Sequence, residues 1–269
     1  MRILLLADVH GNRAALEAIR EPHDICLFLG DLVDYGPDPG GCINWVKQHA
    51  HHSIRGNHDH GAAQNVDVQG VGGFRFLTAC TRPPTVAALN PCQRRFLADL
   101  PTSLMLTLDG KRFLLVHATP RDPMDEYAPA DPAFWAPRLA GLPVDYVCVG
   151  HTHQPYTLTV NGITVINPGS VGLSRDGNPR ASYGVIEGNQ TELKRVEYPV
   201  EQTVREVMAS NLDPTAKQML ADIYRGGAYL GRWLKNGTAG LKSVAGEEVL
   251  ARRNVPAGVE SITPGDGAG

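Results

Sequence analysis

Histidines and carboxylates recur at the ends of short apolar runs in this sequence. The run 2–7 ends in Asp8-Val9-His10, the run 25–29 in Gly30-Asp31-Leu32-Val33-Asp34, and the run 53–55 in Gly56-Asn57-His58-Asp59. The run 112–116 ends in His117, and 146–149 ends in Gly150-His151-Thr152-His153. One such histidine is ordinary loop chemistry. Five coincidences of strand end and ligand-type residue point to one shared site. Asp8, His10, Asp31, Asn57, His117, His151 and His153 offer four imidazoles, two carboxylates and one amide oxygen. That set exceeds a single tetrahedral site and suits two metals sharing a bridge, a part that a carboxylate such as Asp31 can play. Imidazole-rich ligation favours Mn, Fe, Co, Ni or Zn over Ca or Mg. In Asp8-x-His10 and His151-x-His153, residues two apart in an extended segment point to the same side, so each pair can address one site. Two divalent cations outweigh two carboxylates and a bridging hydroxide. The centre stays net positive and attracts an anion such as phosphate, and paired metals align attacking and leaving oxygens and generate hydroxide near neutral pH.

Such a cluster needs elements that converge. The runs 2–7 and 25–29 read as strands buried on both faces. Between them Asn12 caps a helix carrying Ala15, Leu16 and Ile19. A helix near 43–48 and a third strand at 53–55 complete a β-α-β-α-β rhythm, which implies parallel pairing with helices outside. The carboxyl edge of such a sheet is where its loops gather a site. Helices are expected at 71–79 and 91–100, the latter with Asn90 as cap and Pro91 in first position. Asp109-Gly110 and Asn161-Gly162 each sit between strand-like runs, the residue pair of a type I′ hairpin turn. Further strands are expected at 146–149, 183–187 and 192–198. The pattern predicts an α/β fold of mixed sheets rather than a dinucleotide-binding sheet or a barrel. Beyond Pro199 the chain turns helical. Val204, Val207 and Met208 share one face, and Asp213-Pro214 opens a helix with Met219, Leu220 and Ile223 that Gly226-Gly227 interrupts. The expected organisation is one domain over 1–236, with its helical segment from about 200, and a flexible Gly/Pro-rich tail over 237–269.

Asp8-x-His10, Gly30-Asp31-x-x-Asp34, Gly56-Asn57-His58-Asp59, His117 and Gly150-His151-x-His153 resemble, in order and spacing, the signature of the calcineurin-like metallophosphoesterases. Asp8-Val9-His10-Gly11-Asn12 and Asn167-Pro168-Gly169-Ser170-Val171-Gly172 further resemble the small, single-domain prokaryotic branch. The resemblance implies two packed mixed β-sheets flanked by helices, a four-layer αββα sandwich. It implies one metal held by Asp8, His10, Asp31 and His153, and a second held by Asp31, Asn57, His117 and His151. It implies that His58 is no ligand but assists leaving-group departure, with Asp34 orienting it. The implied activity is hydrolysis of small phosphodiesters or phosphomonoesters through attack by metal-bound hydroxide.

The sequence departs from the protein Ser/Thr phosphatases of that superfamily, which carry Arg where this chain has Tyr35. The departure weighs against phosphoprotein and diadenosine-polyphosphate phosphatase activity, the alternative reading. Tyr35 offers one neutral hydrogen bond, so a singly charged diester is the expected preference. Arg55, Arg175 and Arg180 are candidate replacements for the missing cation. Asn12 has three readings: helix cap, turn, or contact to substrate phosphate. His49, His51, His52 and His60 are either an accessory metal group or solvated loop histidines. Phe74, Phe76 and the Pro-rich stretch 122–137 are candidate walls of a cleft. A non-catalytic protein-binding scaffold of the same fold is the opposing class, but it has no need of His58.

Composition bounds the rest. The 269 residues suffice for one large domain. Lys+Arg at 25 against Asp+Glu at 28 leaves no basic footprint for nucleic acid or an anionic membrane. The expected partner is a small phosphoester, not nucleic acid and not a membrane. Residues 3–7 stop at Asp8, too short for a signal-peptide core. Five irregularly spaced cysteines fit reduced thiols, and the expected location is cytoplasmic.

Overall fold

The computed structural model describes residues 1–229. The apolar run at the N-terminus forms β1 (Arg2–Leu6), which pairs in parallel with β2 (Ile25–Phe28), itself parallel to β3 (His52–Ser53). On its other side β1 pairs antiparallel with β9 (Ala181–Glu187), and β9 with β10 (Gln190–Val196). The first sheet therefore runs β10-β9-β1-β2-β3. The second is built from β4 (Ser103–Leu108), β5 (Lys111–Val116), β6 (Tyr146–Cys148), β7 (Tyr156–Val160) and β8 (Ile163–Asn167), in the order β4-β5-β6-β8-β7. Its centre, β5-β6-β8, is parallel and its edges are antiparallel. Asp109-Gly110 and Asn161-Gly162 close the β4–β5 and β7–β8 hairpins with positive φ at all four residues, as a type I′ turn requires.

Alternation along β1 divides the core. Ile3, Leu5 and Ala7 pack with Leu27, Leu29, Phe113, Leu115 and Ile166 between the two sheets. Leu4 and Leu6 face outward, into a layer shared with α1 (Arg13–Ala18), α2 (Pro39–His49) and α5 (Pro91–Asp99). The outer face of the second sheet is covered by α6 (Pro132–Leu139), whose Trp135 is fully buried and donates its indole N–H to Pro129 O at 3.0 Å. The result is the expected helix–sheet–sheet–helix order. A fourth cluster joins Tyr35 and Leu77 to α7 (Val200–Ala209) and α8 (Pro214–Gly226). Gly227, left-handed at φ 65, caps α8 at the interruption read from Gly226-Gly227. The tail expected over 237–269 lies outside the described residues.

Some expectations change. The third strand lies at His52–Ser53 rather than 53–55, and Asn57–Ala63 forms an unanticipated helix, α3. Its first turn is closed by the Asp59 carboxylate accepting from Gly56 N–H at 3.1 Å, a role that a short run of polar, ligand-type residues conceals. The helix expected at 71–79 is α4 (Gly73–Ala88), which continues through Pro83 and Pro84. Tertiary anchors on its C-terminal half, described below, override the proline penalty. α6 was hidden in the Pro-rich stretch, where Asp131-Pro132 is a cap and first-turn pair. Met208 is exposed, unlike Val204 and Val207. Among the described residues, no helix is long and apolar enough to cross a membrane.

Candidate active site

Every parallel strand delivers a loop to the same edge, and backbone hydrogen bonds tie those loops together. Asp8 N–H donates to Gly30 O and His10 N–H to Asp31 O, both at 3.0 Å. Gly150 N–H donates to His117 O at 2.9 Å, and Gly172 N–H to Asp8 O at 3.0 Å. The turns are tight. Asp8, His10, Asp31, Asp34, Tyr35, His151 and His153 all have positive φ, a conformation that non-glycine residues rarely adopt. Elsewhere among the described residues, only Asn65, Asp109 and Asn161 share it outside glycine. Backbone strain is thus concentrated on the residues that carry the chemistry.

Two buried groups result. Asp8, His10 and His153 bring ligand atoms together in one; Asp31, His117 and His151 do so in the other. Asp31 stands between them, with Oδ2 3.7 Å from His10 Nε2 and 3.2 Å from His117 Nε2. Buried Asn57 Oδ1, Asp8 Oδ2 and His151 Nε2 have no hydrogen-bond partner. Such orphaned polar atoms are costly unless something electropositive sits against them.

The imidazoles make the case sharper. His10 Nδ1 donates to Val33 O and His117 Nδ1 to Leu29 O, both at 2.8 Å, while His153 Nδ1 donates to Leu173 O. A carbonyl only accepts, so the neutral rings of His10 and His153 keep their proton on Nδ1 and present a lone pair at Nε2. Burial pushes His10 down to about 3 and holds His153 well below the usual imidazole range, so neither is protonated near neutral pH. Yet their Nε2 atoms face each other at 3.1 Å. Two opposed lone pairs are favourable only with a cation between them. Burial likewise takes His151 to about 3. Burial opposes charge on His117, but the Asp31 and Asp8 carboxylates outweigh it and raise that ring to about 10. The centre draws positive charge, and its donor set of imidazole, carboxylate and amide oxygen fits divalent transition metals.

His58 stands beside these groups. Its backbone N–H donates to Asp31 Oδ1 at 2.9 Å, and its Nδ1 donates to Asp34 Oδ2 at 2.7 Å. Its Nε2 lies 3.4 Å from the Tyr35 hydroxyl. Burial works against a charged His58, but the Asp31 charge and the Asp34 hydrogen bond outweigh it and raise its pKa.

The expected substrate contacts fare differently. Asn12 caps α1, its Oδ1 accepting from Ala15 N–H and Thr203 Oγ1 and its Nδ2 donating to Gly172 O and Tyr198 Oη. Its amide is spent on structure, so the phosphate-contact reading of Asn12 is corrected to that of a helix cap. Arg55 turns to α5, donating from Nη1 to Ala98 O at 3.0 Å. Arg180 is exposed, with its Nε on Asn178. Tyr35 is buried and its hydroxyl pairs with Thr78 Oγ1 at 2.8 Å. Arg175 lies close enough for its charge to bear on Asp8, His10, His151 and His153, and its guanidinium carbon stands 3.7 Å over the Phe74 ring. Phe74 also meets Tyr35, and Tyr127 approaches His151, placing one of the two phenylalanines and part of the Pro-rich stretch at the mouth. His51 Nδ1 accepts from Cys26 N–H and His49 packs on Trp45. No accessory metal group forms around them among the described residues.

Two participants were missed. Asp59 accepts from the backbone N–H groups of Asp31 and Leu32 at 2.8 and 2.7 Å and so holds the bridging loop. It lies inside the Gly56-Asn57-His58-Asp59 motif, which was the available signal. Arg82 binds Asp34 from a helix that was expected to end at 79, and no local pattern marks it.

Gly30 is needed for close approach. It has φ +98, and a Cβ there would lie 2.6 Å from Gly56 N and 2.7 Å from His117 Nδ1. Gly30→Ala is expected to cost about 1–3 kcal/mol of stability and to displace the His117 ring. A denaturant midpoint and metal content equal to those of the wild type would refute that expectation.

The calcineurin-like phosphoesterase superfamily domain model matches residues 1–191, and the chain belongs to that superfamily. It is 28% identical over 235 residues to an uncharacterized protein of Methanocaldococcus jannaschii, covering 78% of this chain and 93% of that protein. It is 25% identical over 187 residues to a probable metallophosphoesterase of Mycoplasma pneumoniae, covering 66% of this chain and 83% of that one. The crystal structure of a metallophosphoesterase from Sphaerobacter thermophilus matches with a TM-score of 0.70 and 30% identity, over 85% of this chain and 99% of that one.

Proposed function

We propose that this chain is a two-metal phosphoesterase that hydrolyses small phosphodiesters or phosphomonoesters. The observation that carries the reading is the pair of buried ligand groups facing one shared carboxylate, Asp31. Asp8, His10, Asp31 and His153 would hold one divalent transition metal, and Asp31, Asn57, His117 and His151 the other. When bound, such a pair supplies Lewis acidity toward phosphoryl oxygens and makes water acidic enough to be deprotonated near neutral pH. His58, outside the ligand set, keeps its Nδ1 proton on Asp34 and offers Nε2 to the leaving oxygen, to which it gives a proton. Asp59 holds the bridging loop rigid from behind. Arg175 adds a guanidinium toward the phosphoryl group.

The test is activity on bis-p-nitrophenyl phosphate beside p-nitrophenyl phosphate, with metal content measured on the same sample. Hydrolysis that rises with Mn, Fe, Co, Ni or Zn occupancy and disappears with a chelator is the expected result. Full occupancy without hydrolysis of either ester would favour a binding scaffold.

Arg175 has its own expected effect. A monoester dianion gains more from a guanidinium than a diester does. Arg175→Met should therefore lower kcat/KM for the monoester more than for the diester, by about 1.5–3 kcal/mol at most. Equal losses on the two substrates would remove Arg175 from phosphate recognition.

A further inference from the structure

Asp34 is fully buried, and its carboxylate carries more than the His58 hydrogen bond. Arg82, from the C-terminal half of α4, donates from Nε to Asp34 Oδ1 at 3.0 Å and Oδ2 at 2.9 Å, and from Nη2 to Oδ2 at 2.5 Å. Its Nη1 donates to Val66 O at 3.2 Å. Arg82 is itself 5% exposed, so its charge is committed to this one acid rather than to solvent. Oδ2 is the same oxygen that accepts from His58 Nδ1 at 2.7 Å. The surroundings are shaped for the guanidinium: a Cβ at Gly61 of α3 would stand 2.0 Å from Arg82 Nη1. Thr81, its neighbour on α4, accepts from Tyr35 N–H at 3.2 Å and pins the backbone next to Asp34.

A carboxylate gripped by a planar, multiply bonded guanidinium cannot rotate freely. Asp34 thereby acquires a fixed plane, and that plane fixes the ring of His58. We propose that Arg82 is a positioning residue for proton donation by His58: it touches no substrate and acts through Asp34. The inference rests on the reading of His58 as the proton donor.

The test is a mutant cycle read against leaving-group quality. Arg82→Met, Arg82→Lys, His58→Ala and the Arg82→Met/His58→Ala double variant are assayed on p-nitrophenyl and phenyl phosphodiesters, with metal content measured throughout. Arg82→Met is expected to lower kcat by about 10-fold to 100-fold, the scale of strongly coupled neighbours. KM and metal content should hold. The loss should be greater for the phenyl ester, whose leaving oxygen depends more on a donated proton. Arg82→Lys should recover part of it. In the His58→Ala background Arg82→Met should cost nothing more, because the group being positioned is gone.

Multiplicative losses in the double variant, equal losses on the two esters, or losses that follow metal content would each overturn the proposal. Arg82→Met leaves the buried Asp34 charge with His58 as its remaining partner, and the double variant removes that too, which can prevent folding. Gly61→Ala provides a second route, since it keeps both charges and pushes the guanidinium off its seat. A folded Gly61→Ala protein should show the same leaving-group-dependent loss of kcat, and unchanged kcat on both esters would overturn the proposal. If His58→Ala alone retains full turnover, the reading of His58 fails. If His58→Ala loses turnover but Arg82→Met adds its own loss to it, this inference alone fails.

Discussion

Asp31→Asn is expected to empty both metal positions and abolish turnover in one step. The Asp31 carboxylate is within reach of both clusters, and an amide in its place brings neither the charge nor a second anionic oxygen. Two-metal sites contribute several kcal/mol of transition-state stabilisation, so the loss should reach about 10³-fold or more at about 1.4 kcal/mol per decade. Stability should follow. At a free metal concentration of about 1,000 times Kd, a bound ion stabilises by about 4 kcal/mol. Emptying one position then lowers Tm by roughly 10 °C for a domain of this size. Scanning calorimetry at fixed free metal, with elemental analysis of the same samples, measures both. Full metal content with wild-type turnover would remove Asp31 from the bridging position.

The second large effect is expected at His58, with the opposite metal signature. Its side chain touches Asp34 and lies near Tyr35, and it belongs to neither ligand group. His58→Ala should keep both metals and lose about 10²–10⁴ in kcat, the range of a positioned acid–base group. KM should change little, since the lost interaction develops with charge on the leaving oxygen. An emptied metal position in this variant would make His58 a ligand and end the assignment.

The ligand set was legible in the sequence because each metal-ligand candidate ends an apolar strand, whereas the separate role of His58, which ends the same strand as Asn57, came only with the resemblance to the family. Periodicity places the strands, parallel pairing places their ends together, and the loop residues follow. The two type I′ hairpins were legible for the same local reason: Asp109-Gly110 and Asn161-Gly162 supply the positive φ themselves. What local pattern cannot show is which partner a polar side chain finds across the fold. Asn12 looked equally fit for a cap or for a phosphate. Thr203 and Tyr198, nearly two hundred positions away, consume its amide. Arg55 sits next to the Gly56-Asn57-His58-Asp59 motif, yet the C-terminal end of α5 captures it. Arg82 is the converse, a site residue placed beside two prolines. α3 escaped because its few apolar residues do not repeat often enough to announce a helix, and α6 because Pro132 and Pro137 make an apolar stretch read as a loop.

The origin of the ligands has a consequence for how the chain folds. Asp8 and His10 follow a strand of the first sheet, and His153 follows a strand of the second, 143 residues from His10. Asp31 and His117 divide in the same way. No segment holds a complete site by itself, so a metal ion has little to organise early in folding. Contacts of such high sequence separation form late and slow the search. Metal uptake should therefore trail formation of the sheets. In refolding from denaturant, the rate constant should be independent of metal concentration while the unfolding rate falls as metal is added, because bound ions fasten one sheet to the other only after they have met.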